Sequence, residues 1–263
     1  MTETLLDKRR IASSFGRAAA TYDQAAAFQR TVGTSLLQRL PDRFEPADIV
    51  DLGCGTGYFS RLLEERFEKA VYGLDLAEGM LRYAGQQSSH GRWIAADAEH
   101  LPLREASQGL IFSSLALQWC SNLQQALTQA WGALRPGGYL AFNTLLNASL
   151  HELRDAWTTV DGFVHVNRFM PLDTLQAHLC QAGFAFWHCE VERHVLRYEQ
   201  LSDLMRELKA IGAHNVNPGR PGGLTGRARL RALTEAYETF RTAQGLPATY
   251  DVAQVIMRKG PKP

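Results

Sequence analysis

What this 263-residue chain lacks narrows its reading before any motif is found. Its four cysteines, Cys54, Cys120, Cys180 and Cys189, form no CxxC pair and no Cys/His cluster with zinc-finger spacing. A disulfide framework and a zinc module are therefore not expected, and the thiols read as free in a reducing compartment. The eight histidines are scattered without metal-site spacing, so no metal is expected, and His100 and His165 read as surface or loop residues. No apolar run approaches the roughly 20 residues that span a bilayer. The opening stretch, MTETLLDKRRIASSFGR, mixes acids with bases and has no apolar signal core. A soluble, cytoplasmic protein without a membrane partner is the expectation. Charge of one sign is missing too: 28 Lys and Arg against 27 Asp and Glu leave a net +1, which excludes a wholly basic nucleic-acid binder. Internal repeats and low-complexity tracts are absent.

What is present is 45% hydrophobic residues in a chain long enough for one large α/β domain. Residues 5–40 read as helical, with Ile11, Phe15, Ala18 and Tyr22 forming one apolar stripe. From residue 48, short apolar strands alternate with helical stretches: DIVDLG, AVYGLD (70–75), RWIAAD (92–97), GLIFSSL (109–115) and YLAFNTLL (139–146). That alternation predicts a parallel sheet covered by helices on both faces, with right-handed crossovers. After residue 147 the rhythm changes to helices near 149–160 and 171–182, a strand over 184–196 and a final strand in ATYDVAQVIMRKG. Between those strands lie two helices joined by a Gly/Pro-rich loop, an insert long enough to be a lid or binding element. Three segments follow: a helical cover over 1–45, a core over 46–147, and the rest of the sheet over 148–263 with its insert at 199–246.

The core carries the chemistry. Gly53, Gly55 and Gly57 follow the first strand and precede a helix, where glycine permits a left-handed turn or close ligand approach. Asp75 ends the second strand about twenty residues on, where an acid accepts hydrogen bonds from ribose hydroxyls. Asp97, followed by Ala98, ends the third strand and is placed to accept from an adenine amino group. All fall at strand carboxyl ends, the edge where open α/β sheets bind ligands. A nicotinamide site calls for GxGxxG with a pyrophosphate at the helix N-terminus. Here the pattern is D-x-G-x-G-x-G, and the Asp51 carboxylate beside the loop would repel a pyrophosphate. A cation suits it better, which tilts the choice toward S-adenosylmethionine.

The stretches VDLGCGTG, GLDLAEGML, ADAEHLPL, LIFSSLALQW and LRPGGYLAF resemble, in order and spacing, the class I S-adenosylmethionine-dependent methyltransferases. The resemblance implies a Rossmann-like α/β fold whose seven-stranded sheet has six parallel strands and an antiparallel last one. It also implies that the three glycines shape the methionine end, Asp75 the ribose side and Asp97 with Ala98 the adenine side, that Leu76 contacts the cofactor, and that Leu115 faces the methyl-donor region. KRRIASSFGRAAATYDQAAAFQ, LALQWCSN, LKAIGAHNVNPGR, GLTGRARLRAL and GLPATYDVAQVIMRKG further resemble the malonyl-acyl-carrier-protein O-methyltransferases of biotin synthesis, the BioC family. That narrower resemblance implies methyl transfer to the free carboxylate of malonyl-acyl-carrier protein or malonyl-CoA, giving the methyl ester that enters pimeloyl and biotin synthesis.

A malonyl carboxylate has a reference pKa of about 4, so it is ionised at neutral pH and needs no general base. Tyr22, in ATYDQ, is the first candidate beside the reacting atoms, as an orienting phenol or as a packed aromatic. Gln29, Gln118 and Trp119 are candidate acceptor-pocket residues. Arg220, Arg227 and Arg229 stand with Arg231 in an acid-free run over 215–234 that could dock an acidic carrier protein or simply be a solvated face. Methylation of a free small molecule, such as a carboxylic acid or a quinone precursor, remains the alternative.

Overall fold

The computed structural model describes residues 7–41, 44–88, 91–213 and 226–261. Two helices open the chain, α1 (Lys8–Ala25) and α2 (Ala27–Gln38). The single helical stretch expected over 5–40 is broken at Ala26, whose ψ of 35° leaves the helical region. Asp7 caps α1 by accepting from the Arg9 and Arg10 backbone N–H groups at 3.1 and 3.2 Å.

Then come β1 (Ile49–Leu52), α3 (Tyr58–Phe67), β2 (Val71–Asp75), α4 (Glu78–Gln87), β3 (Arg92–Ala95) and β4 (Gln108–Ser114). They are followed by α5 (Leu123–Ala133), β5 (Leu134–Leu145), α6 (His151–Thr158), α7 (Leu172–Gln181) and β6 (Phe186–Tyr198). The insert supplies α8 (Leu201–Ala210) and α9 (Arg227–Glu238), and β7 (Leu246–Arg258) closes the chain. The seven strands make one sheet in the order β3-β2-β1-β4-β5-β7-β6. β1 to β5 pair in parallel, whereas β7 runs antiparallel to both β5 and β6. Six parallel strands and an antiparallel last one therefore match the expected sheet.

Burial follows position. All four residues of β1 are buried, and so are twelve of the thirteen in β7, which lies between two neighbours. β6, at the sheet edge, alternates between exposed and half-buried positions. Phe112, Leu36, Ile49 and Leu63 are among the fully enclosed side chains on the helix-covered faces, each contributing roughly 1.5–3 kcal/mol. Strand ends depart from the expectation in two places. β3 stops at Ala95, so Asp97 lies two residues beyond it, and β5 begins at Leu134, where a bulge between Gln108 and Leu110 lets the LRPGG segment join the ladder. Among the described residues, no helix is long and apolar enough to cross a membrane. All four cysteines are free.

Candidate active site

The site grows out of the carboxyl edge of β1, β2 and β4. Parallel pairing sets Leu52 opposite Leu74, and the Leu74 carbonyl accepts from Gly53 and Cys54 N–H at 2.7 and 3.0 Å, which curls the chain over the end of β2. That curl needs left-handed backbone: φ is 74° at Gly53, 55° at Gly55 and 76° at Gly57. A Cβ on Gly53 would also lie 2.2 Å from the Ala116 methyl. Asp75 is locked beneath the curl, with Gly55 N–H donating to Oδ2 at 2.9 Å and Ala77 N–H to Oδ1 at 2.7 Å. Burial pushes its carboxyl above the ordinary range, and those backbone donors pull the other way. Each oxygen keeps a lone pair, so the group can accept from a vicinal diol.

Gly53, Gly55, Asp75, Leu76, Asp97 and Ala98 all lie on the wall of one cavity of about 110 Å³. A chain of bare backbone, a buried acceptor pair and an apolar end fits the ribose and adenine of S-adenosylmethionine. On the adenine side, Asp97 is already engaged: Lys8 Nζ, from α1, lies 2.6 Å from its Oδ2 and 2.8 Å from Glu99 Oε1. Burial opposes ionisation of Asp97, but the Lys8 ammonium and the Glu99 N–H prevail and hold its carboxyl below the usual range.

α1 is pinned across this cavity. It crosses α4 at a glycine pair so close that a Cβ on Gly79 would sit 2.6 Å from Gly16 Cα. On the other flank it meets the end of α8: Ser14 Oγ donates to the Gly212 carbonyl at 3.0 Å and Thr21 Oγ1 to that of Ala210 at 2.9 Å. The apolar stripe divides accordingly. Ile11 and Ala18 are buried, while Phe15 and Tyr22 look into the space below.

That space is a second cavity of about 460 Å³, walled mostly by apolar side chains from α1, α2, α6, α8 and the β4 and β5 ends. Phe15, Tyr22, Leu115 and Trp119 belong to both cavities and form their common wall. Leu115 reaches it through a left-handed backbone, φ 51°, unusual outside glycine, held by Asn143 Oδ1, which accepts its N–H at 2.8 Å. Asn143 is wholly buried and donates through Nδ2 to the Val32 carbonyl at 3.0 Å, tying α2 to the same turn. The Trp119 indole stands edge-on to the Phe15 ring at 5.2 Å. Burial, then the Asp75 and Asp23 carboxylates, push the Tyr22 phenol upward, so it is a neutral donor at ordinary pH.

Gln29 and Gln118 also line the larger cavity. Gln118 Oε1 accepts from Leu145 N–H at 3.3 Å, whereas Gln29 Oε1 is buried without a partner among the described residues. An unmet buried acceptor costs roughly 1–3 kcal/mol, which a ligand donor would recover.

Two cofactor candidates and two arginines lie off both cavity walls. Asp51 is 2% exposed beneath the loop, accepts from Ser60 Oγ at 2.6 Å, and is pushed up to about 7 by burial. At neutral pH it is only partly ionised, which weakens its electrostatic case against a pyrophosphate. Gly57 caps α3, and a Cβ there would meet the Trp93 ring at 2.5 Å, so its glycine answers packing. Arg220 lies outside the described residues. Arg227 and Arg229 sit at the start of α9, away from the cavities. Arg229 Nε is 3.8 Å from Asp161 Oδ2 and its guanidinium lies over Phe163.

Sequence reasoning missed Lys8, Asn143 and His165. His165 is a loop residue, as expected, but its side chain is only 11% exposed and lies on the larger cavity's wall. The i, i+4 spacing from Asp161 was the available signal, and loops carry no periodicity that would give it weight.

A methyltransferase domain profile matches residues 50–142. The chain is 45% identical over 253 residues to a malonyl-[acyl-carrier protein] O-methyltransferase of Serratia marcescens, covering 96% of each chain. It is 44% identical to the biotin biosynthesis bifunctional protein BioHC of Cellvibrio japonicus over 97% of this chain but 51% of that one, so it spans about half the length of such bifunctional relatives. Among solved structures, an S-adenosylmethionine-dependent methyltransferase from Mesorhizobium loti superposes with a TM-score of 0.52 at 23% identity, over 86% of this chain and 96% of that one. The last likeness is one of fold.

Proposed function

The chain belongs to the malonyl-[acyl-carrier protein] O-methyltransferase family, and we propose that it methylates the free carboxylate of a malonyl thioester, carried by acyl carrier protein, with S-adenosylmethionine as donor. The observation that carries this reading is the common wall of the two cavities, Phe15, Tyr22, Leu115 and Trp119, between a nucleoside-shaped site and an apolar chamber. When bound, S-adenosylmethionine supplies a methyl group made electrophilic by the adjoining sulfonium.

The residues of the chain do the rest by binding and orientation. Asp75 and the glycine loop hold the donor's ribose and methionine portions, and Ala98 with Leu76 flanks its base. Asp97 reaches the base's amino group in competition with Lys8. An ionised carboxylate is already a nucleophile, so no side chain has to remove a proton. Tyr22 and Gln29, with Gln118 and Trp119, orient the acceptor in the larger cavity. Apolar walls strip water from the carboxylate, and fixed alignment contributes at most roughly 7–11 kcal/mol. The size of that cavity suits a thioester and part of its carrier arm better than malonate alone. Arg227 and Arg229 at the start of α9, with Arg220, offer cations to an acidic carrier.

The decisive assay incubates the protein with methyl-labelled S-adenosylmethionine and malonyl-acyl-carrier protein, malonyl-CoA or free malonate. Label is expected in the carrier-bound malonyl ester and, more weakly, in malonyl-CoA. Absence of label from every malonyl species would reject the proposal, and label only in unrelated small acids would favour the free-acid alternative.

A further inference from the structure

The loop between α6 and α7 places on the cavity wall an imidazole that the alignment of donor and acceptor does not use. The His165 ring is stacked on the Trp157 indole, 3.5 Å between centroids and 10° between planes, and both rings line the larger cavity. Its Nε2 lies 2.7 Å from Asp161 Oδ1. Burial opposes ionisation of Asp161, but the Phe163 N–H and His165 prevail and hold it below the usual carboxylate range. An ionised carboxylate can only accept, so the Nε2 proton is the one it takes. Among the described residues Nδ1 has no hydrogen bond, although the side chain is almost enclosed.

Charge around the ring is balanced. The Arg229 guanidinium lies 3.8 Å from the second Asp161 oxygen and over Phe163, so the Asp161 charge does not stand alone against an arriving anion. Among the described residues, the other side chain on that wall able to carry a full positive charge is Lys209, which is exposed to solvent.

We propose that His165, oriented by Asp161, binds the carboxylate of the acceptor and so distinguishes it from an uncharged acyl group. This rests on the reading of the larger cavity as the malonyl thioester site. Between two carboxylates, that of Asp161 and that of the acceptor, the ring donates through Nε2 to the first and through Nδ1 to the second. The methyl ester product keeps the shape but loses the charge, so it loosens at this contact and leaves. Stacking on Trp157 fixes the ring plane, and Asp161 fixes its rotation.

The test compares binding of malonyl-CoA and its methyl ester, each with S-adenosylhomocysteine present to prevent turnover, in wild type, His165→Phe, His165→Gln and Lys209→Met. Phenylalanine keeps the stack and loses both nitrogens; glutamine keeps one donor. Wild type is expected to prefer malonyl-CoA. A hydrogen bond to a charged group is worth about ten- to hundredfold, so His165→Phe should lose about that much preference. Its affinities for the ester and for S-adenosylhomocysteine should be unchanged, and His165→Gln should fall between. Equal loss for both acyl compounds means a structural role and overturns the inference. So does a preference retained in His165→Phe, or one lost in Lys209→Met while His165→Phe keeps it. If wild type transfers no label to any malonyl species, the functional reading itself fails; if it does and the preference ignores His165, only this inference fails.

Discussion

The two cavities are built in opposite ways. The cofactor side is made of backbone and carboxylates at strand ends: Gly53, Gly55, Asp75 and Asp97, within 45 residues of one another. The larger cavity, proposed for the acceptor, is made of side chains from α1, α2, α6, α8 and β7, mostly apolar, with a few polar groups set among them. Backbone geometry holds a ligand common to many proteins, because any sequence with the right glycines reproduces it. Side-chain geometry holds a particular one. The difference teaches where to look for pH sensitivity, and where for acceptor specificity.

The largest effect is expected under the glycine loop. Asp51, pushed up to about 7 from 3.8, keeps its proton in the folded chain where the unfolded chain has lost it. The folded state therefore binds more protons between about pH 4 and about pH 7. The stability from this group is complete below that window and disappears as pH rises through about 7. At roughly 1.4 kcal/mol per pKa unit its ceiling is about 4 kcal/mol. Urea denaturation of the ligand-free protein across this range should show that slope, and Asp51→Asn should flatten it. Parallel curves for the two proteins would mean that Asp51 is not the proton site.

Next comes Asp75. Replacing it with Ala removes the acceptor of two backbone N–H groups and the proposed acceptor for the ribose, and should weaken S-adenosylmethionine binding on the order of a hundredfold, about 3 kcal/mol. Calorimetric titration reads this directly, and an unaltered affinity would contradict the ribose assignment.

The acceptor side should answer differently. Gln29→Leu removes a buried acceptor that has no partner, so the melting temperature should hold or rise. The KM for malonyl-CoA should rise about tenfold, equivalent to about 1.4 kcal/mol, with donor affinity unaffected. A loss of donor affinity instead would erase the division between the two sides.

The smallest effect is expected farthest from the chemistry. Arg227→Glu should slow methylation of malonyl-acyl-carrier protein severalfold while sparing malonyl-CoA, with the gap closing as salt rises. Arg229 meets Asp161 as well as solvent, so Arg227 is the cleaner probe. Equal slowing of both substrates would remove α9 from carrier docking.

Legibility in the sequence divides along the same line. The strand-helix alternation, the sheet with its antiparallel last strand, and the loop glycines could be read from local patterns, because each is set by residues close in sequence. Asp75 follows from its distance to those glycines. Asp51 and Gly57 matched the motif equally well, yet one turns inward to Ser60 and the other meets Trp93. A linear pattern reports spacing and not the direction a side chain takes. Of the residues at the larger cavity, Tyr22, Gln29, Gln118 and Trp119 stand in family-like stretches, whereas Asn143, Trp157 and His165 bear no motif.

By itself the sequence determined the order of elements and the left-handed turn over β2, since these depend on backbone freedom and on periodic burial, while the kind of cofactor followed from the family resemblance of VDLGCGTG and the stretches after it. Only the tertiary structure decided that α1 would cross α4 at Gly16 and Gly79, that Lys8 would reach Asp97, and that Phe28, His165 and Tyr250 would enclose one chamber. Those residues are separated by tens to hundreds of positions. Sheet topology brings them together, and no local propensity encodes their meeting.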